Sequence, residues 1–384
     1  MKFLHIFGPD TKNSYGIMSQ LHKYCDLTEH SFLITAYESV KKRFPKLGEF
    51  PDLIFIPEDA GRIARFVYFY RQLRDADVII LHSLYFTTQK YIYFLFFFRK
   101  LLKKAVWIEW GADLYVWKYN SNTLQGRIRN YIGGVIRRNI PRIGCCFPTD
   151  EEEVRAQFGE NVRCYYTPLA NPKQNPTGLI EEIMELRPPE PEFKKAPCIQ
   201  IAHNSFQFNN HMRIIDYLSK FKDENAVFVL PLNYGIYGIN GQYGGKMYRD
   251  SVIKYAQKEL GEDRVGVLLK SIPFDRYLSF LWNIDVVVFD FDRPSGLGTL
   301  RILLLMEKKV YIPAGTPYYD FLRSKGLPIY DTRRIPEMTF EEFMEPPVYT
   351  DKRWLLSYMN NRDVIQCWLD MFDSLKEEMG DKGK

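Results

Sequence analysis

Five short stretches of this sequence carry residue types suited to moving protons or holding anions. They are His5-Ile6-Phe7-Gly8-Pro9-Asp10, His82-Ser83, Trp110-Gly111-Ala112-Asp113-Leu114-Tyr115, His203-Asn204-Ser205 with Asn209-Asn210-His211, and Asp290-Phe291-Asp292 running into Arg293-Pro294-Ser295-Gly296-Leu297-Gly298-Thr299. Asp10, His82 and Asp113 are of the types that accept a proton from a hydroxyl. The last stretch reads as strand, Gly-bearing turn and helix start. There the free N–H groups and the helix dipole attract phosphate oxygens, and Gly296 and Gly298 let a ligand approach the backbone. Asp290-Phe291-Asp292 also fits a DxD that holds Mg²⁺ or Mn²⁺ against a diphosphate, while Arg293 and the helix start can neutralise the same charge without metal. Each stretch fits a plain structural task as well: Asp113 as a turn cap, His82 as a hydrogen-bonded core residue, Asn204 and Ser205 on loop backbone, Asn209 or Asn210 as an N-cap.

Position unites them, because each follows an apolar run of strand length. In the first half the predicted strands are Phe3–Phe7, Phe32–Thr35, Leu53–Ile56, Val78–His82, Val106–Trp110 and Ile143–Phe147. Helices are predicted between them, notably over Arg62–Arg74, Thr88–Lys103 and Gln125–Arg138. This alternation is the pattern of a parallel sheet covered on both faces. A proline-rich, charged connection follows, after which the pattern restarts. The later predicted strands are Cys198–Ala202, Ala226–Leu230, Val265–Leu269, Asp285–Phe289 and Val310–Ile312. The organisation expected is an α/β chain of two doubly wound domains, residues 1–170 and 197–350, joined by 171–196. A C-terminal helical segment, 351–384, leans back toward the first domain. Ligands of open parallel sheets bind beyond the carboxyl ends of the strands, so two facing sheets make a cleft.

Composition narrows the partners. Residues 1–170 carry 24 Lys and Arg against 17 Asp and Glu, net +7, whereas residues 171–384 carry 28 against 30, net −2. The front half is therefore the better match for an anionic surface. Its segments Arg62–Arg71 and Tyr91–Lys104 interleave aromatics with clustered cations, as helices lying in a membrane interface do, although a buried aromatic core with a solvated charged face fits equally. No nucleic-acid-binding motif is present, and no nucleic-acid partner is expected. The six cysteines are scattered, which argues for a reducing compartment and against structural zinc. The N-terminus reads as a first strand and not as a signal peptide, and the longest aromatic–apolar run, Tyr91–Phe98, is too short to span a bilayer.

The WGADLY string at Trp110–Tyr115 resembles the bacterial 4-acetamido-4,6-dideoxygalactose (N-acetylfucosamine) transferase family. Further resemblance lies in Asn204-Ser205 with Asn209-Asn210-His211, in Val229–Gly235, in Phe274–Leu278 and in Arg293–Leu300, together spanning most of residues 105–330. The resemblance implies a GT-B architecture, two Rossmann-like doubly wound domains facing each other across a cleft. It also implies an inverting, metal-independent transfer from a dTDP-sugar to a polyprenyl-diphosphate-linked saccharide at the cytoplasmic face of the inner membrane. Two departures matter: the loop after Asn204-Ser205 is shorter than in the family, and Asp290 and Asp292 stand where the family is not acidic. In the resulting assignment Asp113 is the base, with His82 and Asp10 in reserve. Arg293, Ser295, Gly296, Gly298 and Thr299 bind the diphosphate; His203, Asn204, Ser205, Asn209 and Tyr234 hold the donor; Lys270 and Ser271 edge the base or ribose. No metal and no further cofactor is expected. A nucleotide-sugar epimerase and a non-catalytic glycan- or membrane-binding protein are the alternatives.

Overall fold

The computed structural model of the chain describes residues 1–8, 11–84, 90–115, 123–168, 183, 185, 196–235, 245–359 and 361–380. Asp10 and most of the 171–196 connection lie outside the described residues. The chain divides into two compact units, Met1–Pro176 with Asn360–Lys384, and Thr177–Met359.

The first unit is built on seven parallel strands: β1 (Phe3–Phe7), β2 (His30–Ile34), β3 (Leu53–Phe55), β4 (Val78–His82), β5 (Ala105–Ile108), β6 (Arg142–Cys145) and β7 (Arg163–Tyr166). Their order is β3-β2-β1-β4-β5-β6-β7, so the winding reverses between β1 and β4. The central strands are apolar on both faces, as a sheet covered by helices on both sides requires. One face packs Leu4, Ile6, Ile79, Leu81 and Trp107 against helical cover that includes Phe69 and Leu73. The other packs Phe3, Phe7, Ile80 and Val106 against Met18 and Leu21 and against Trp368, Met371 and Phe372. Those last three lie on the C-terminal helix Asn361–Gly380, which is part of the first unit. It is fastened by Glu378, which pairs with the buried Arg142 and, at 3.2 Å, with Arg163.

The second unit has six parallel strands: β8 (Cys198–Ile201), β9 (Val227–Pro231), β10 (Val265–Leu268), β11 (Val286–Val288), β12 (Lys309–Ile312) and β13 (Ile329–Asp331). Their order is β10-β9-β8-β11-β12-β13, reversing between β8 and β11. Helices His211–Leu218, Lys246–Leu260, Phe274–Trp282, Leu297–Leu305 and Pro317–Ser324 alternate with the strands.

Three expectations need correction. Thr88–Lys103 is not one helix: a 3₁₀ segment, Lys90–Phe96, is followed by a short helix, Arg99–Leu102, with residues 88 and 89 outside the described set. An unbroken aromatic run has no polar face for a long surface helix, and its rings pack outward on two sides, Phe94 on Phe66 and Phe96 on Tyr131. The edge strands β7 and β13 were not expected; both are short. The segment 351–384 is two helices, Arg353–Met359 in the second unit and Asn361–Gly380 in the first.

Candidate functional site

In an open parallel sheet the crevice for ligands opens where the strand order reverses. In the second unit that point lies between β8 and β11, and the loops leaving these two strands carry most of the residues singled out above. The chain leaves β8 through Ala202, a non-glycine residue in the left-handed region (φ +54°), and turns at His203-Asn204-Ser205. Asn204 is buried; its Oδ1 accepts from Phe206 N at 2.9 Å and Asn209 Nδ2 at 2.6 Å, fixing the turn. Ser205 is buried too, donating Oγ–H to Leu232 O at 2.7 Å while its N–H donates to Tyr234 O. His211 bonds Asn204 O from below, 2.8 Å away.

The loop leaving β11 brings Arg293–Gly296 to the same place. Gly296 stands at φ +72°, and a Cβ there would sit 2.7 Å from the His203 ring, so only glycine fits. His203 Nε2 lies 2.6 Å from Asn204 Nδ2 and 3.0 Å from Ser295 Oγ. An amide nitrogen only donates, so Nε2 is the acceptor and the proton of the neutral ring is on Nδ1. That Nδ1 is buried beside Gly296 and has no hydrogen-bond partner among the described residues. Burial, with the nearby His211 and Arg293 charges, lowers the His203 pKa to about 3, so the ring is neutral at pH 7.

Helix Leu297–Leu305 begins immediately after Gly296. The first-turn amides of an α-helix have no intrahelical acceptor; here Leu297, Gly298 and Thr299 supply them, while Leu300 N bonds Gly296 O at 2.9 Å. Gly298 has open space where a Cβ would be. Thr299 Oγ1 is held by Tyr277 OH at 2.7 Å, and the Arg293 guanidinium stacks 3.9 Å above the Phe208 ring. The structure thus brings His203, Asn204, Asn209, Arg293, Ser295, Gly296, Gly298 and Thr299 into one corner. Tyr234 is exposed and meets Phe206 edge-on at 5.8 Å. Lys270 and Ser271 are exposed beyond β10.

Asp290 and Asp292 are spent elsewhere. The buried Asp290 carboxylate pairs with Arg213, and Asp292 Oδ1 accepts from Asn210 Nδ2 at 2.7 Å. Asn210, itself in the left-handed region (φ +50°), also donates to Asp290 O, so these residues lock the β8 and β11 loops together.

The first unit answers differently. Asp113 is 2% exposed, and its two oxygens accept from Leu84 N (2.7 Å), Trp107 Nε1 (2.8 Å) and Trp110 N (2.7 Å). Burial raises its pKa while these three bonds oppose the rise. This carboxylate clamps the exits of β4 and β5 together. His82 is also unsuited as a proton acceptor. It is fully buried, 2.9 Å from His5 Nδ1, stacked on Phe7 at 3.9 Å, and burial holds its pKa well below the ordinary value. His5 in turn reaches His30 at 2.9 Å, so three histidines form a neutral row across β4, β1 and β2. Ser83, next in the chain, has φ +65° at the reversal point of the first sheet.

Sequence reasoning missed a buried acid cluster behind the WGADLY string. Glu109 accepts from Cys146 N at 2.7 Å and from Gly111 N, and Asp150 accepts from Tyr115 OH at 2.7 Å. Burial and the neighbouring Asp150 and Asp113 charges raise the Glu109 pKa well above the ordinary value, and burial raises that of Asp150 as well. Arg213, Phe208 and Tyr277 were missed as well; no spacing ties them to the loops they support.

Several solved structures share this architecture. Anabaena HepE in complex with UDP superposes with a TM-score of 0.65 at 12% identity, covering 98% of this chain and 100% of that one. A glycosyltransferase from Rickettsia africae gives 0.57 at 10%, covering 98% of each. A UDP-GlcNAc 2-epimerase from Neisseria meningitidis bound to UDP-GlcNAc gives 0.51 at 14%, covering 96% of this chain and 100% of that one. At these identities the likeness shows the fold, GT-B with two Rossmann-like domains. A family model matches residues 19–372 and is described as 4-alpha-L-fucosyltransferase, glycosyl transferase group 56. On that match over nearly the whole sequence, the chain belongs to the group 56 family of 4-alpha-L-fucosyltransferase glycosyltransferases.

Proposed function

We propose that this glycosyltransferase takes an N-acetylfucosamine-type deoxyamino sugar from a nucleoside diphosphate, most simply dTDP, and passes it with inversion to a polyprenyl-diphosphate-linked saccharide. In this reading the work is done at the cytoplasmic face of the inner membrane, in the synthesis of a surface polysaccharide. The observation that carries the donor half is the corner at the β8–β11 reversal: the first-turn amides of helix Leu297–Leu305 and Arg293, beside a glycine held against the His203 ring, whose buried Nδ1–H has no partner among the described residues. Such a corner receives diphosphate oxygens.

In the reaction the acceptor oxygen attacks the anomeric carbon from the side opposite the nucleotide. A base takes the hydroxyl proton, the bond from that carbon to the phosphate oxygen breaks, and the charge released on the diphosphate is held by the amides and Arg293. This supply of fixed positive potential serves without a metal, since Asp290 and Asp292 hold Arg213 and Asn210. With Asp113 and His82 enclosed, this reading takes as base Asp10, the carboxylate three residues after β1 in the sequence and outside the described residues. Tyr234, Lys270 and Ser271 border the nucleoside. The test is a thermal-shift screen over dTDP, UDP and GDP: one nucleotide raises the melting temperature and defines the donor class, and no shift with any of them refutes the donor reading.

A further inference from the structure

We infer that the first unit carries a membrane-docking face for an anionic lipid surface, formed by helix Arg62–Asp75, the Lys90–Phe98 segment and helix Leu124–Arg138. The three elements are joined by their rings. Phe66 stacks on Phe94 at 5.5 Å and Tyr70 meets Phe98 at 4.8 Å, while Phe96 meets Tyr131 at 6.2 Å and Phe97 at 5.3 Å. Most of the aromatic run is therefore core, and what remains outside is Phe97 (77% exposed) together with Ile63 (81%), Val67, Leu124 (75%), Ile128 and Tyr131 (63%). Leu124, Ile128 and Tyr131 recur at helical spacing, so they share one outward face of a helix whose opposite face, at Gly126, Gly133 and Arg137, is buried.

Charge selects the occupant. Residues 62–74, 90–104 and 124–138 hold thirteen Lys and Arg and no Asp or Glu. Arg65 and Arg137 are used inside the unit, bonding Pro57 O and Leu84 O, but Arg62, Arg71, Arg99 and Lys100 are exposed. Apolar side chains ringed by cations suit phospholipid, with the chains entering the acyl boundary and the cations meeting headgroup phosphates. A second copy of this chain would bring cation against cation across a self-complementary contact. The lipid-linked acceptor gives the face its purpose and rests on the reading above; the face itself rests on the exposures and charges.

The experiment is flotation of the full chain with vesicles of equal parts phosphatidylglycerol and phosphatidylcholine, against pure phosphatidylcholine, at low and high salt. The wild type floats with the anionic vesicles at low salt and loses about tenfold in bound fraction at high salt. Ile128→Ser with Tyr131→Ser, and separately Arg71→Gln with Lys100→Gln, each cut anionic binding at least about tenfold, because every apolar anchor and surface cation contributes. Melting of each variant and its nucleotide-induced shift stay as in the wild type. Absent flotation, flotation unaffected by either pair, or a wild-type dimer that the apolar pair converts to monomer overturns the inference. A missing nucleotide shift with intact flotation refutes the donor reading alone.

Discussion

Replacing Gly296 and Gly298 by alanine, one at a time, separates the two reasons a turn holds glycine. At Gly296 the backbone is left-handed and the new Cβ would stand 2.7 Å from the His203 ring. The left-handed conformation costs an ordinary residue about 1–2 kcal/mol. The ring must also move off Asn204 and Ser295, and each of those two bonds contributes about 0.5–1.5 kcal/mol. Gly296→Ala therefore destabilises the second unit by about 2–5 kcal/mol, or about 4–20 °C for a unit of this size. At Gly298 nothing stands within 4 Å of the new methyl and the residue is in the first helical turn. Gly298→Ala stabilises the empty protein by about 0.5–1 kcal/mol, yet it puts a methyl where the diphosphate must approach, weakening nucleotide binding at least about tenfold, or about 1.4 kcal/mol. Differential scanning calorimetry with and without the nucleotide reads both effects. A Gly298→Ala protein that melts higher when empty and loses most of the nucleotide shift is the expected result. Nucleotide affinity equal to wild type in Gly298→Ala means that no phosphate sits over those amides.

Asp113→Asn puts an amide NH₂ among three N–H donors, so one buried donor or more loses its acceptor, at a cost of about 1–3 kcal/mol each. Folded Asp113→Asn retains the wild-type pH profile of kcat/KM, whereas Asp10→Asn lowers kcat by about 10²–10⁴-fold with donor KM unchanged; the opposite pattern returns Asp113 to the role of base. Burial lowers the pKa of His203 to about 3 and of His211 to about 4, so the unfolded chain binds more protons than the folded one below about pH 6.5. Stability of the second unit is fully present above that pH and falls on acidification toward pH 4, by up to about 1.4 kcal/mol per pH unit for each histidine; urea midpoints that stay flat from pH 7 to 5 contradict this. In the first unit the raised carboxyls of Glu109 and Asp150 oppose the low histidines, because their share is lost as pH rises, so its acid slope is shallower. Glu378→Ala strands the 4%-exposed Arg142 side chain and costs about 3–5 kcal/mol, with faster proteolysis of the C-terminal helix as its readout.

The alternation of apolar runs made most of both sheets legible, since central strands buried on two faces have no other composition. β7, Arg163–Tyr166, escaped because a short edge strand with an exposed arginine reads as connection. The corner at the β8–β11 reversal was legible through the Gly296 turn and the helix start that directly follows it in sequence. Arg213 was not, because its partner Asp290 lies far away in sequence and is brought to it only by the packing of helix His211–Leu218 near β8, the neighbour of β11. Asp113 shows the limit on the other side. A carboxylate at a strand end has one sequence signature whether it faces a substrate or three backbone and indole N–H groups, and only the Leu84 N–H from the neighbouring strand exit decides between them.

The central claim is a transfer, and one assay tests it directly. Purified protein is given a dTDP-linked 4-acetamido-4,6-dideoxyhexose and a polyprenyl-diphosphate-linked saccharide, with chelator present, and the products are resolved by mass and anomeric configuration. The account predicts that the sugar moves to the acceptor with inverted configuration, that dTDP accumulates in equal amount, and that donor alone is left unchanged. An epimerised donor in the absence of acceptor, a product of retained configuration, or turnover abolished by the chelator contradicts it.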